Sequence, residues 1–220
     1  VNPLMNVLVV TAVPAERDAV TRAFGEGSST PTVIAGGVGP AAAAASTARA
    51  LATGAYDLVV SAGIGGGFAD LAPLASVVVA DAIVAADLGA ETAQGYVPVT
   101  GLGFGTVEHL PPAALVRTLA DATGARTGTV LTVSTVTGTA ARADELRARH
   151  PGAAVEAMEG FGVAEAAALF GLPVLEIRAV SNAVGPRDRD AWRIGDALAA
   201  LTDAFGKIRP ALEGWTPHEH

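Results

Sequence analysis

The chain has 220 residues, a formal net charge of −8, half its residues hydrophobic, few aromatics and no cysteine. That length buries one ordinary core, so a single domain over 1–220 is expected. The acidic balance speaks against nucleic-acid binding, and the missing cysteine excludes disulfides and thiolate catalysis and fits a cytoplasmic protein. The longest uncharged run, Gly27 to Ala48, is broken by prolines, glycines, serines and threonines, unlike the near-continuous apolar stretch of about 20 residues that spans a membrane. No basic region followed by an apolar stretch opens the chain, so neither a leader nor a membrane segment is expected.

Apolar runs alternate with helical patterns. Val7–Ala12 reads as a strand, and Pro14 opens a helix to about Phe24, where its missing N–H costs nothing. Thr32–Ala35 is a second strand, ending in Gly36-Gly37-Val38-Gly39-Pro40, with a helix over Ala41–Leu51. Leu58–Ala62 is a third strand leading into a Gly63-Ile64-Gly65-Gly66-Gly67 loop. Ser76–Ala85 is a valine-rich strand, and Leu88–Glu108 reads as an irregular, mobile or interface segment. Then come a helix at Pro111–Thr123, a strand at Thr127–Val133, a helix at Ala140–Arg149 and a strand at Ala153–Ala157. A helix at Glu159–Phe170, a strand at Pro173–Ser181 and a long helix from Asp190 to about Leu212 close the pattern. Such alternation predicts an α/β fold with a mixed, mostly parallel sheet flanked by helices.

Several groups stand out against this frame. The glycine run is either a tight turn or a cradle of backbone amides for an anion or sugar; it matches neither G-x-G-x-x-G nor a P-loop. Glu16 is either a solvated first-turn acid or a general base above the end of the first strand. Glu159 is either another solvated first-turn acid or, between Met158 and Gly160, a desolvated carboxylate that accepts strongly from hydroxyls. Arg178 is either a surface arginine or, between Ile177 and Ala179 in a buried strand, one that needs an acidic partner such as a nearby glutamate, and Ser181-Asn182 at the end of that strand is either an Asn turn or a hydrogen-bonding pair facing the crevice. Arg187, Asp188, Arg189, Asp190 and Trp192 form either a capped helix start or an anion-binding lip beside an aromatic wall. His109 and His150 have no companions at metal-ligand spacing and read as surface residues, and His218-Glu219-His220 reads as a frayed tail rather than a chelator. No G-x-S-x-G elbow is present, which argues against a covalent hydrolase.

Taken together, these blocks resemble the nucleoside phosphorylase/hydrolase superfamily from Val7 to the last helix. Within it they look most like the futalosine hydrolases, relatives of the methylthioadenosine/S-adenosylhomocysteine nucleosidases. The resemblance implies a nucleoside phosphorylase-like domain, a small-molecule nucleoside substrate, no cofactor or metal, and a homodimer or larger homo-oligomer. It implies that Glu16 activates water with help from Arg178, that Met158 and Glu159 hold the ribose, and that Asn182 faces the base at N7 beside Ser181. It further implies that Val136 and Thr137 contact the base, that Gly65 and Gly66 belong to the glycine-rich loop, and that Trp192 borders the 5′ pocket with Arg187 and Arg189 near its anionic arm. The related nucleosidases carry Asp where this chain has Asn182. A neutral amide donates to a 6-oxo group, whereas a carboxylate would oppose it, so hypoxanthine is favoured over adenine. Ile64 replaces a hydroxyl, and no arginine precedes the glycines to hold phosphate, which favours water as nucleophile. The resemblance leaves adenine-type nucleosidases acting on methylthioadenosine or aminodeoxyfutalosine, a purine nucleoside phosphorylase and a non-catalytic nucleoside-binding domain as alternatives.

Overall fold

The computed structural model describes residues 5–25 and 30–215, so the His218-Glu219-His220 tail lies outside the described residues. Strand β1 (Val7–Thr11) is buried along its whole length. Its alternate side chains enter two different layers. Leu8 and Val10 meet the side of helices α2 (Pro40–Thr53) and α5 (Gly160–Leu169), while Val7 and Val9 meet the side of α1 (Pro14–Arg22), α3 (Ala113–Thr123) and α6 (Ile194–Gly214). A strand covered on both faces reads as an unbroken apolar run, which explains Val7 to Val10. Helix α4 (Ala140–Arg149) closes a third, smaller cluster through Ala143 and Leu146.

The main sheet contains β2 (Thr32–Ala35), β1, β3 (Leu58–Gly67), β9 (Ala153–Ala157), β8 (Arg126–Thr132), β4 (Val77–Ala85) and β10 (Val174–Ala183), with β7 (Glu108–His109) on β4. It is mixed: β1, β2, β3 and β10 run parallel to their neighbours in that group, as do β4, β8 and β9, but β10–β4 and β3–β9 are antiparallel. An additional pairing of β10 with β3 closes β3, β10, β4, β8 and β9 into a barrel-like ring. The expected α/β layering is therefore present, but the sheet curls back on itself rather than remaining open.

Two expectations change. The Gly63–Gly67 run is the second half of strand β3, not a loop. Its glycines let other groups approach the strand: a Cβ at Gly63 would come within 2.6 Å of Glu16 Oε1 and 2.7 Å of Arg178 Nη1, and one at Gly67 would collide with the Ala72 carbonyl. The segment expected to be irregular, Leu88–Glu108, carries a β-hairpin, β5 (Gly89–Thr92) with β6 (Gly95–Pro98), followed by a 3-10 turn at Val99–Leu102. Thr92 Oγ1 donates to the Gly95 carbonyl at 2.7 Å and Gly95 adopts φ +113°, so local turn chemistry supplies the order. No described helix is long and apolar enough to cross a membrane.

Helices α2 and α5 approach closely because α2 is an alanine run and α5 opens Gly-Phe-Gly. A Cβ at Gly162 would collide with the backbone carbonyl of Pro40. Gly162→Ala should therefore destabilise the fold by about 1–3 kcal/mol, read as a lower denaturant midpoint, although alanine has the higher helix propensity.

Candidate active site

Strand β3 changes neighbours along one edge. Leu58–Ser61 pair with β1, and Gly66–Gly67 pair with β9, which leaves the edge open between them. Glu16 enters this opening from the first turn of α1. Its Oε1 accepts from the Ile64 N–H at 2.9 Å, and its Oε2 accepts from the N–H groups of Ala12 at 2.9 Å and Val13 at 3.3 Å. Glu16 is thus a buried acceptor held by three backbone donors rather than a solvated helix-start acid.

Below it, Arg178 on β10 lies opposite Gly63 and is 1% exposed. Its Nε donates to Glu176 Oε1 at 2.8 Å, its Nη2 to Ser61 Oγ at 3.0 Å and its Nη1 to the Ile64 carbonyl at 3.4 Å, with Glu159 Oε2 3.3 Å from Nη1. Burial opposes the arginine charge, but Glu176, Glu159 and Glu16 outweigh it and raise its pKa above the usual arginine value. Glu159 caps α5, one residue before the helix rather than within its first turn. Its Oε1 accepts from Gly39 N–H at 3.2 Å and its Oε2 from Met158 N–H at 3.3 Å. Gly39 adopts φ +90°, which allows the turn before α2 to present that N–H.

A cavity of about 350 Å³, large enough for a nucleoside-sized ligand, lies above these groups. Its walls include Glu16, Gly65, Gly66, Val136, Thr137, Met158, Glu159, Ser181, Asn182 and Trp192, so these expected residues share one space. Ser181 falls at a bulge in the β3–β10 register. Its hydroxyl donates to Asn182 Oδ1 at 2.8 Å, while Asn182 Nδ2 donates to the Ala183 carbonyl at 3.1 Å. Arg178 does not line the cavity; it lies beneath it, behind Glu159. Arg187 and Arg189 do not line it either. Their guanidinium carbons lie 5.7 Å and 5.9 Å from the Trp192 ring, which ties them to the wall residue as cation–π partners at the rim.

Sequence reasoning missed two acids. Glu156 lines the cavity at 5% exposure. Its Oε1 accepts from Thr137 N–H at 2.9 Å and its Oε2 from the Thr137 hydroxyl. Its position in the strand before Met158-Glu159 was the available signal. Glu176 is fully buried, and its place two residues before Arg178 puts both side chains on one face of β10. His109 and His150 are partly buried rather than at the surface: His109 Nε2 is 2.6 Å from Glu165 Oε1 and its ring packs on Phe161, while burial lowers the His150 pKa. The described residues contain no cluster of three metal-ligating side chains.

Burial pushes Glu176 up to about 7 from 4.5; Arg178 offsets part of the effect and Glu159 adds to it. The folded protein therefore holds this proton more tightly than the unfolded chain. Its stabilising contribution is complete below pH 4.5 and is lost as pH rises through 7. Chemical unfolding across that window should show Glu176→Gln gaining stability relative to the parent as pH rises.

The sequence profile of the Phosphorylase superfamily matches residues 7–209. A futalosine hydrolase from Streptomyces coelicolor is 69% identical, covering 98% of this chain and 100% of that protein, and one from Acidothermus cellulolyticus is 44% identical, covering 93% and 90%. The fold matches a 5′-methylthioadenosine/S-adenosylhomocysteine nucleosidase from Neisseria meningitidis solved with methylthio-immucillin-A (TM-score 0.80, 18% identity, 93% of this chain and 98% of that one). It also matches a futalosine hydrolase of Helicobacter pylori (TM-score 0.79, 14% identity, 94% and 98%). The chain belongs to the phosphorylase superfamily and, within it, to the futalosine hydrolase family.

Proposed function

We propose that this chain hydrolyses the N-glycosidic bond of futalosine, releasing hypoxanthine and dehypoxanthine futalosine in menaquinone biosynthesis. One observation carries the reading: a single cavity places a buried carboxylate, Glu16, at the Gly63–Ile64 end of β3 and a neutral amide, Asn182, beside Gly66. At about 3.3 Å per residue, Gly63 to Gly66 spans roughly 10 Å, about the length needed to put a water at one end of a nucleoside and its base at the other. The names of the relatives at 69% and 44% identity support the same substrate.

Glu159 and Met158 hold the ribose. The Glu159 carboxylate, compensated by Arg178, Gly39 and its own backbone, stabilises the sugar as the C1′–N9 bond lengthens and positive charge develops there. The bonding pair leaves with N9. Asn182, oriented by Ser181, stabilises the departing hypoxanthine as N7 gains a proton from water. Glu16 takes a proton from the attacking water on the opposite face, the remaining oxygen bonds to C1′, and Glu16 then returns its proton to the solvent, which neutralises the hydroxide left where N7 took its own. Arg178 acts as a positioning residue for Glu159. Val136 and Thr137 contact the base over Gly65 and Gly66, and Trp192 with Arg187 and Arg189 receives the anionic 5′ arm. The same reading takes 1–220 as one domain and the enzyme as a cytoplasmic homodimer or larger homo-oligomer.

Chromatography of the base released from futalosine, with and without phosphate, tests the proposal. The expected outcome is hypoxanthine at equal rates under both conditions. A phosphate requirement would instead make the protein a phosphorylase, and release of adenine from methylthioadenosine in place of hypoxanthine would make it an adenine-type nucleosidase. Glu16→Gln should lower turnover by about 10²–10⁴-fold with substrate binding largely retained; unchanged turnover would remove Glu16 from the water-activating role.

A further inference from the structure

The row of residues across three strands assigns Glu156 a place in the site. Gly66 of β3 is in register with Glu156 of β9 on one side and with Asn182 of β10 on the other. Neighbouring strands lie about 4.8 Å apart, so the two polar residues stand roughly 10 Å apart across a position with no side chain. All three residues line the cavity. A Cβ built on Gly66 would lie 3.2 Å from Asn182 Nδ2, so a side chain there would crowd the amide; glycine leaves that floor open to a flat ring.

Thr137 limits what this end of the cavity can offer. Its backbone N–H and its hydroxyl both donate to Glu156. Neither donor is free for a ligand. Burial raises the Glu156 pKa while the two Thr137 donors and Arg142 lower it; as the carboxylate, each oxygen keeps a second lone pair, and in that form the wall at this point presents acceptors. Hypoxanthine carries a donor at N1–H, on the far side of C6 from N7. Adenine carries an acceptor at N1.

We propose that Glu156 is a specificity-determining residue that accepts the N1–H of a 6-oxopurine and repels the N1 lone pair of a 6-aminopurine. This rests on the functional reading above and deepens it: Asn182 reads the N7/O6 edge, and Glu156 reads N1. An adenine placed in this site would leave acceptor facing acceptor in a buried wall, an arrangement that costs far more than a missing contact.

The test compares kcat/KM for futalosine and for its analogue with adenine in place of hypoxanthine, in the parent protein and in Glu156→Gln. The glutamine amide can donate to adenine N1, so the ratio should shift toward the 6-amino substrate by roughly 100-fold or more. If Glu156 only supports the Thr137 loop, both substrates lose activity by the same factor, and that result overturns the proposal. A parent protein that releases no hypoxanthine from futalosine overturns the functional reading and this one with it. Should the variant fail to fold, calorimetry on the parent decides. 1-Methylhypoxanthine, which lacks the N1–H, should bind at least roughly 100-fold more weakly than hypoxanthine, and equal affinity overturns the assignment.

Discussion

A guanidinium almost without access to water holds the candidate site together. Arg178 is buried among Glu176, Glu159, Ser61 and the Ile64 carbonyl, and removing any one charged partner would strand another. The dependence is mutual. Glu159 can face the cavity as a carboxylate because Arg178 balances it from below while Gly39 and Met158 supply backbone donors. Glu176 is balanced on one oxygen only; among the described residues its Oε2 has no hydrogen-bond partner. Burial drives this carboxyl toward its protonated form near neutral pH, leaving more of the arginine charge to Glu159. The cluster therefore lies between two charge states, and the one with Glu176 neutral leaves the arginine charge to Glu159 and Glu16.

That cluster exists only because β3 carries glycine where other strands carry valine. Gly63 leaves the volume in which Glu16 and Arg178 meet the strand, and Gly160, at the start of α5, leaves the volume filled by the Glu176 carboxyl. The same strand exchanges β1 for β9 along one edge, and ligand sites in sheets of this kind form where neighbouring strands diverge. At the break, the N–H of Ile64 would be an unpaired edge donor. Glu16 accepts it, so the group that fills the gap in the ladder is also the one aimed into the cavity.

Much of this was legible in the chain itself. Strands buried on both faces appear as apolar runs, and helices with Pro at their first position declare their starts, which is why Val7–Thr11, Thr32–Ala35 and Ala153–Ala157 were placed closely. Chemistry-bearing residues at strand ends and helix starts were legible for the same reason: polar residues such as Glu159 and Asn182 interrupt an otherwise apolar pattern. The glycine run misled because glycine has low strand propensity, and the requirement for it comes from Glu16, Arg178 and Ala72, remote in sequence. Ring closure was hidden because the β3–β10 pairing joins strands more than a hundred residues apart. Glu156 and Glu176 carried only a faint local signal, their places just before Met158-Glu159 and two residues before Arg178, and their roles appear once Thr137 and Arg178 stand beside them.

The geometry also sets two groups of polar side chains apart along β3. Glu16, Arg178 and Glu159 are tied to the Gly63–Ile64 end of β3 and to backbone amides from the starts of α1 and α2. Asn182 and Glu156 flank Gly66, roughly 10 Å along the strand, and are held by Ser181 and Thr137 rather than by the acid–arginine cluster. Among the described residues, no hydrogen bond or ion pair joins the two groups directly. Under the proposed reading, a change in base preference at the Gly66 end leaves the hydrogen bonds that hold Glu16 in place. The same fold is found in a 5′-methylthioadenosine/S-adenosylhomocysteine nucleosidase and in a futalosine hydrolase, so substrate preference resides not in the fold but in the side chains that line the cavity, those flanking Gly66 among them.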